Sequence, residues 1–303
     1  MLDSQWEVAE TYRYEGDLDR AIAMQTEMVA KAKAVAAKSR GHDRTYVEMQ
    51  YALGACLTNL GDVSVTLGQA ETGLDYERQS LAVRQAIADE HPGDKRAQRV
   101  VGISHNYLAL ALEAVNQYPE AAAEELLSLA SIEPLAAAEP RNADLKSMLA
   151  ESHQHLCGEL AHSGKFGEAR KHCQTALDLF TAAAAADPNN IQAQEDLAEH
   201  FSALSDLADA MGKQREALAW ESKARTLYRT IELKDPDALE TETEDASSLL
   251  HLGILERKLG MAAPAARDLT EARQMLAKQA KQSPKSRVIS DLYDRAAAAG
   301  GVR

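Results

Sequence analysis

Apolar positions recur at helical spacing through most of this chain, in segments separated by single turn residues. The stretches QYALGACLTNLGDVSVTLG and EDASSLLHLGILERKLG each run up to a glycine, and GKFGEARKHCQTALDLFTAAAAADP runs from a glycine to a proline. Those prolines, Pro92, Pro140, Pro188, Pro236 and Pro284, lie 48 residues apart, and the apolar pattern keeps their register. A leucine column (Leu60, Leu108, Leu156, Leu204, Leu252) is followed at once by a small residue: Gly61, Ala109, Cys157, Ser205, Gly253. A turn former comes seven residues later (Gly68, Asn116, Gly164, Gly212, Gly260), then a second small column of Gly73, Ala121, Ala169, Ala217 and Ala265. This is an internal repeat, and each period splits into two helices of about 20–22 residues, roughly 30–33 Å long.

Proline ends each pair because it lacks an amide hydrogen and restricts its predecessor. The residues after it (GDKRAQ, RNADLK, NNIQAQ) offer turns and helix caps. Helix pairs are expected at 43–90, 94–138, 143–186, 190–234 and 240–282. A first pair at 2–38 turns at Gly16, and a capping helix at 287–298 has Val288, Ile289, Leu292 and Tyr293 as its apolar side. The expected architecture is all-α: one right-handed superhelical solenoid of antiparallel helix pairs over residues 1–303. Leucine anchors the interior, and the two small columns let helix backbones approach and cross.

Composition agrees with helix and narrows the partners. Glycine and proline total 24 residues and aromatics 5%, which argues against a sheet protein. The net charge of -14 disfavours nucleic acid, whose phosphates need a basic patch. Charge is uneven: residues 195–245 hold fourteen acidic and six basic residues, a flank suited to a basic partner. Cys56, Cys157 and Cys173 show neither metal-ligand spacing nor a disulfide framework, and Cys157 and Cys173 are expected as reduced thiols. With no run of eighteen apolar residues and no leader pattern at MLDSQWEVAE, the chain is expected to be cytoplasmic and not to engage a membrane.

The unit resembles a tetratricopeptide repeat. Leu60-Gly61, Gly68 and Gly73 follow its consensus order, as do Leu156-Cys157, Gly164, Ala169, Ala176 and Pro188, and Leu204-Ser205, Gly212, Ala217, Ala224 and Pro236. The ordinary unit has about 34 residues. The surplus falls as about two turns in each helix, which keeps the same faces inward. Similar long-helix arrays resemble those beside bacterial signalling domains, including the C-terminal regions of eukaryotic-like serine/threonine kinases. The resemblance implies a non-catalytic scaffold that binds a peptide or helix of a partner protein in a groove lined by the first helix of each pair.

By motif position the groove residues are Asn59, Asp62, Asn106, Tyr107, Gln154, His155, His162, Ser202, Asp206, His251 and Arg257. Their amide, phenol and imidazole groups suit an extended backbone or a docked helix. The carboxylate clamp of some tetratricopeptide proteins is not met: its positions hold Thr58, Asp62, Asn106 and Leu110, so an acidic C-terminal peptide is not favoured. A zinc site at His155 and His162 would need Glu159 or Glu151 as third ligand, and polar groove residues are the better reading. No nucleophile elbow, phosphate loop or HExxH signature occurs, so neither catalysis nor a cofactor is expected. The rivals are a homo-oligomerisation module pairing through stack ends or outer helix faces, and, more distantly, a small-ligand sensor.

Overall fold

The computed structural model describes residues 18–38, 44–234, 239–282 and 287–300. Among these residues the fold is all helix and turn. The helices are α1 (Leu18–Lys38), α2 (Arg44–Thr66), α3 (Ala70–Glu90), α4 (Lys95–Ala114), α5 (Tyr118–Ala138) and α6 (Ala143–His162). They continue as α7 (Phe166–Ala186), α8 (Ile191–Ala210), α9 (Gln214–Glu232), α10 (Leu239–Lys258), α11 (Ala262–Gln282) and α12 (Arg287–Ala299). The expected helix at 2–15 with Gly16, and Pro236 and Pro284, lie outside the described residues.

Within each hairpin the turn former carries the reversal. Gly68, Gly164, Gly212 and Gly260 have φ of +73° to +77°, and Asn116 takes the same left-handed conformation at φ 61°. The following amide reaches back to close the preceding helix, as Lys165 N–H donates to the Leu160 carbonyl at 2.8 Å and Lys213 N–H to that of Ala208 at 2.8 Å. Between hairpins, Asp94, Asn142 and Asn190 stand 48 residues apart, each two residues past a proline. Their side chains accept from the N–H groups of Arg96 (2.8 Å), Leu145 (3.2 Å) and Ala193 (3.2 Å), capping the next helix.

The chain forms two compact units, Met1–Leu145 and Lys146–Arg303. In the first, α1 to α5 pack each on the next, and α2 also meets α4. In the second, α7 to α12 pack in the same succession, and α6 is joined to α7 by side-chain contacts, including a disulfide. The cores are shared between hairpins: Leu74 of α3, Leu108 and Leu112 of α4, and Ala121 of α5 form one cluster. Ala150, Phe180 and Leu197 join α6, α7 and α8 in another. Leu249, Leu276, Leu292 and Ala296 seal α12 onto α10 and α11, and Val288 faces outward. A single hairpin cannot cover its own apolar face, so stacking is what closes the core.

The small columns sit where backbones cross. A Cβ at Gly73 would lie 2.8 Å from the Gly61 carbonyl, and one at Gly253 would lie 2.6 Å from Leu269 Cγ. Ala121, Ala169, Ala217 and Ala265 fill the second column at 1% exposure or less. Leu60, Leu108, Leu156 and Leu252 are buried, whereas Leu204 is half-exposed. The expectation of free thiols at Cys157 and Cys173 is corrected. The crossing brings their Cα atoms to 5.1 Å, and a disulfide joins α6 to α7. Cys56 is a buried free thiol that burial pushes up to about 11.

Candidate functional site

The first helices of the hairpins are α2 and α4 in the first unit and α6, α8 and α10 in the second. Residues expected in the groove separate into two sets. Asn106, Gln154 and Ser202 occupy one 48-residue column and turn toward neighbouring helices: Asn106 Nδ2–H donates to Glu125 Oε1 at 2.7 Å, and Ser202 Oγ–H to Glu221 Oε1 at 3.2 Å. Gln154 is 8% exposed and links α6 to α8, with Nε2–H donating to Glu199 at 2.8 Å and Oε1 lying 2.9 Å from His200 Nδ1. The other set keeps access to solvent. Asn59, Asp62, Tyr107, His155 and His251 are half-buried, and His162, Asp206 and Arg257 are exposed.

The structure adds a column of buried carboxylates on the second helices, Glu77, Glu125 and Glu221, at exposures of 1%, 0% and 0%. Cys173 takes the same position in the third hairpin. Glu221 is a junction: besides Ser202 of α8 it meets His251 Nδ1 of α10 at 3.0 Å, and His251 Nε2 lies 3.5 Å from Asp206. Burial alone would make this imidazole harder to protonate. The hydrogen bond and charge of Glu221, with the charges of Asp206 and Asp209, outweigh it and raise His251 above its ordinary value. A recurring glutamate at an otherwise apolar helix position, visible once the repeats are set in register, is the signal that could have revealed this column.

A second recurring contact lies one residue earlier on both helices, 19 residues apart. His105 Nδ1 meets Glu124 at 2.7 Å, His153 Nδ1 meets His172 Nδ1 at 2.9 Å, and Phe201 stacks on Trp220 with centroids 5.7 Å apart. Burial, and then the neighbouring His172, push His153 down to about 4, so it is neutral at physiological pH. Phe201 and Trp220, with Leu177, Asp178, Ala182, Ala185 and Lys223, line a cavity of about 500 Å³ between α7 and α9. Lys223 Nζ lies 3.9 Å over the Trp220 ring. Apart from Phe201 of α8, the walls of this groove come from the second helices α7 and α9.

Paired antiparallel helices with a left-handed turn residue, two small crossing columns and cores shared between neighbours define the fold of this chain as a tetratricopeptide-like helical repeat. Its fold is similar to BtubC (BKLC) from P. vanneervenii, at 18% identity and a TM-score of 0.61, over 86% of this chain and 91% of that one. It is similar to RapI in its apo form, at 13% identity and a TM-score of 0.62, over 98% of this chain and 97% of that one. A Rap protein complexed with Competence and Sporulation Factor matches at 9% identity and a TM-score of 0.57, over 98% and 87% of the two chains. At these identities the likeness is one of fold. No protein-family model and no curated protein sequence matches the chain. Among the described residues no helix is long and apolar enough to cross a membrane, and no three histidine, cysteine or carboxylate side chains are placed to hold a metal ion.

Proposed function

We propose that this protein is a non-catalytic interaction scaffold that binds a peptide or helix of a partner protein along the face of its first helices. The observation that carries the reading is the second polar set. Asn59, Asp62 and Tyr107 in the first unit, and His155, His162, Asp206 and His251 in the second, retain solvent access on helices whose apolar sides are already covered by neighbours. Such repeated polar positions on rigid helices present hydrogen-bonding groups at small ordering cost. A similar fold is described in complex with Competence and Sporulation Factor, which supports partner binding by arrays of this kind. The acidic stretch 195–245 favours a basic partner. Affinity capture with the intact protein and a Tyr107→Ala, His155→Ala variant tests this. The variant is expected to lose specific partners, and identical partner sets would remove these residues from the binding face.

A second reading, self-assembly through the outer helices, is favoured by the aromatic groove between α7 and α9 together with Leu126 and Leu127 on α5, exposed at 53% and 49%. Sedimentation velocity over a hundredfold concentration range tests it, and a constant monomer mass would dismiss it.

A further inference from the structure

We propose that the second unit binds a small carboxylic acid, in a cavity of about 260 Å³ where α10, α11 and α12 meet. The inference does not rest on the scaffold reading and needs no protein partner. The floor of the cavity is apolar: Ala265 and Leu269 of α11 and Ala296 of α12 are 1%, 3% and 0% exposed. Leu269 and Ala296 also belong to the cluster that seals α12 onto α10 and α11, so this floor is the edge of the core. Ala262, Ala266 and Ala299 continue the lining, and their small side chains keep the space open.

Two cations stand in the walls. Arg257 is exposed on the last turn of α10, and Arg273 is half-buried on α11. No carboxylate is among the described residues that line the cavity. Other arginines of this unit meet acids: Arg225 lies 3.5 Å from Asp245 and 3.2 Å from Glu271, and Arg267 lies 2.7 Å from Asp268. The chain has 47 acidic and 33 basic residues, so an acid-free hollow with two arginines reverses the prevailing charge. Thr270 also lines the cavity, but its hydroxyl already gives its hydrogen to the Ala266 carbonyl at 2.6 Å. The guanidinium groups are therefore the side-chain donors that the lining offers.

A guanidinium pairs with a planar carboxylate through parallel N–H groups and stays charged at physiological pH. The alanine and leucine floor favours an apolar stem over a bare inorganic anion. The cavity is smaller than the roughly 300–1,000 Å³ of pockets for drug-sized ligands, which keeps that stem short. A docked helix, about 10 Å across, does not enter it. Since three helices supply the walls, a bound acid ties α12 to α10 and α11 and stabilises the fold by linkage. The alanines and arginines were visible in the sequence, but only the packing of α12 brings them around one space.

The test uses the full chain with hexanoate, hexanamide and inorganic phosphate, followed by calorimetry and amide shifts. Hexanoate is expected to bind with shifts concentrated at Ala262, Ala266, Thr270, Arg273 and Ala299. Hexanamide, which keeps the shape without the charge, and phosphate, which lacks the stem, are each expected to bind at least tenfold more weakly. Arg257→Gln with Arg273→Gln is expected to weaken hexanoate at least tenfold while the unliganded melting temperature stays unchanged. Ala266→Leu fills the space from an exposed position and is expected to abolish binding with both arginines intact. Equal affinity for hexanamide or for phosphate, shifts centred elsewhere, or an arginine double variant that binds like wild type would overturn the site. Tighter binding here of the peptide acetyl-Gly-Glu-Leu-Gly-amide than of hexanoate would also overturn it, by reassigning the cavity to a partner's acidic side chain. Affinity capture of a cellular partner bears on the scaffold reading alone.

Discussion

Replacing Glu77 by glutamine should stabilise the first unit in alkaline solution, although it removes a buried charge beside a buried arginine. Glu77 is 1% exposed, and its carboxylate lies over the bare Cα of Gly61. Arg84, 6% exposed, directs Nη1–H to Ser104 Oγ at 2.8 Å. Burial pushes Glu77 up to about 8 from 4.5, against the opposing pull of Arg84 and the Thr58 hydroxyl. The folded state therefore prefers the neutral acid. Its stability advantage is complete below pH 4.5, falls as pH rises toward 8, and is flat beyond. At about 1.4 kcal/mol per pH unit, the loss across that window is roughly 5 kcal/mol. Glutamine keeps the shape and never ionises. Urea unfolding followed by circular dichroism at pH 5, 7 and 9 should show a variant-minus-wild-type difference that grows with pH, positive by a few kcal/mol at pH 9. Glu125→Gln, at the equivalent position one hairpin on, is the comparison, because it alters the acceptor of the Asn106 amide at 2.7 Å. A Glu77→Gln variant weaker than wild type at pH 9, or a difference independent of pH, would mean that the carboxylate is ionised and paired with Arg84.

Two further outcomes follow from the packing and the charges. Gly253→Ala places a methyl 2.6 Å from Leu269 Cγ and 3.2 Å from the Leu269 backbone nitrogen. It should cost about 1–3 kcal/mol by chemical denaturation, and a neutral effect would show that α10 and α11 can slide apart. His251→Gln keeps a hydrogen-bond donor between α8 and α9 but removes the charge that Glu221 favours. Since the folded imidazole is raised, its contribution is full below about pH 6.5 and is lost as pH rises through the higher folded value. The melting-temperature gap between wild type and variant should be widest near pH 6 and shrink by pH 9, whereas a constant gap would assign His251 a packing role only.

Helix, turn and crossing positions were legible because they depend on neighbours a few residues away. Gly68, Asn116, Gly164, Gly212 and Gly260 mark reversals through a backbone conformation that glycine and asparagine tolerate. The small columns mark crossings through volume alone. Repetition at 48 residues then multiplied each weak local signal, so the tetratricopeptide-like fold could be read from the chain.

Polar side chains were harder to place, because one column can face solvent or a neighbouring helix with no change in sequence pattern. Gln154 has the same motif position as other groove residues, yet it is buried between Glu199 and His200, which lie about 45 residues away along the chain. Cys157 and Cys173 meet only because helices cross at that point. The walls of the Phe201–Trp220 groove come from three helices, α7, α8 and α9. Local periodicity determines which residues are helical and which side is apolar. The distance between side chains on different helices is set by stacking, and stacking alone decides which charges share a site.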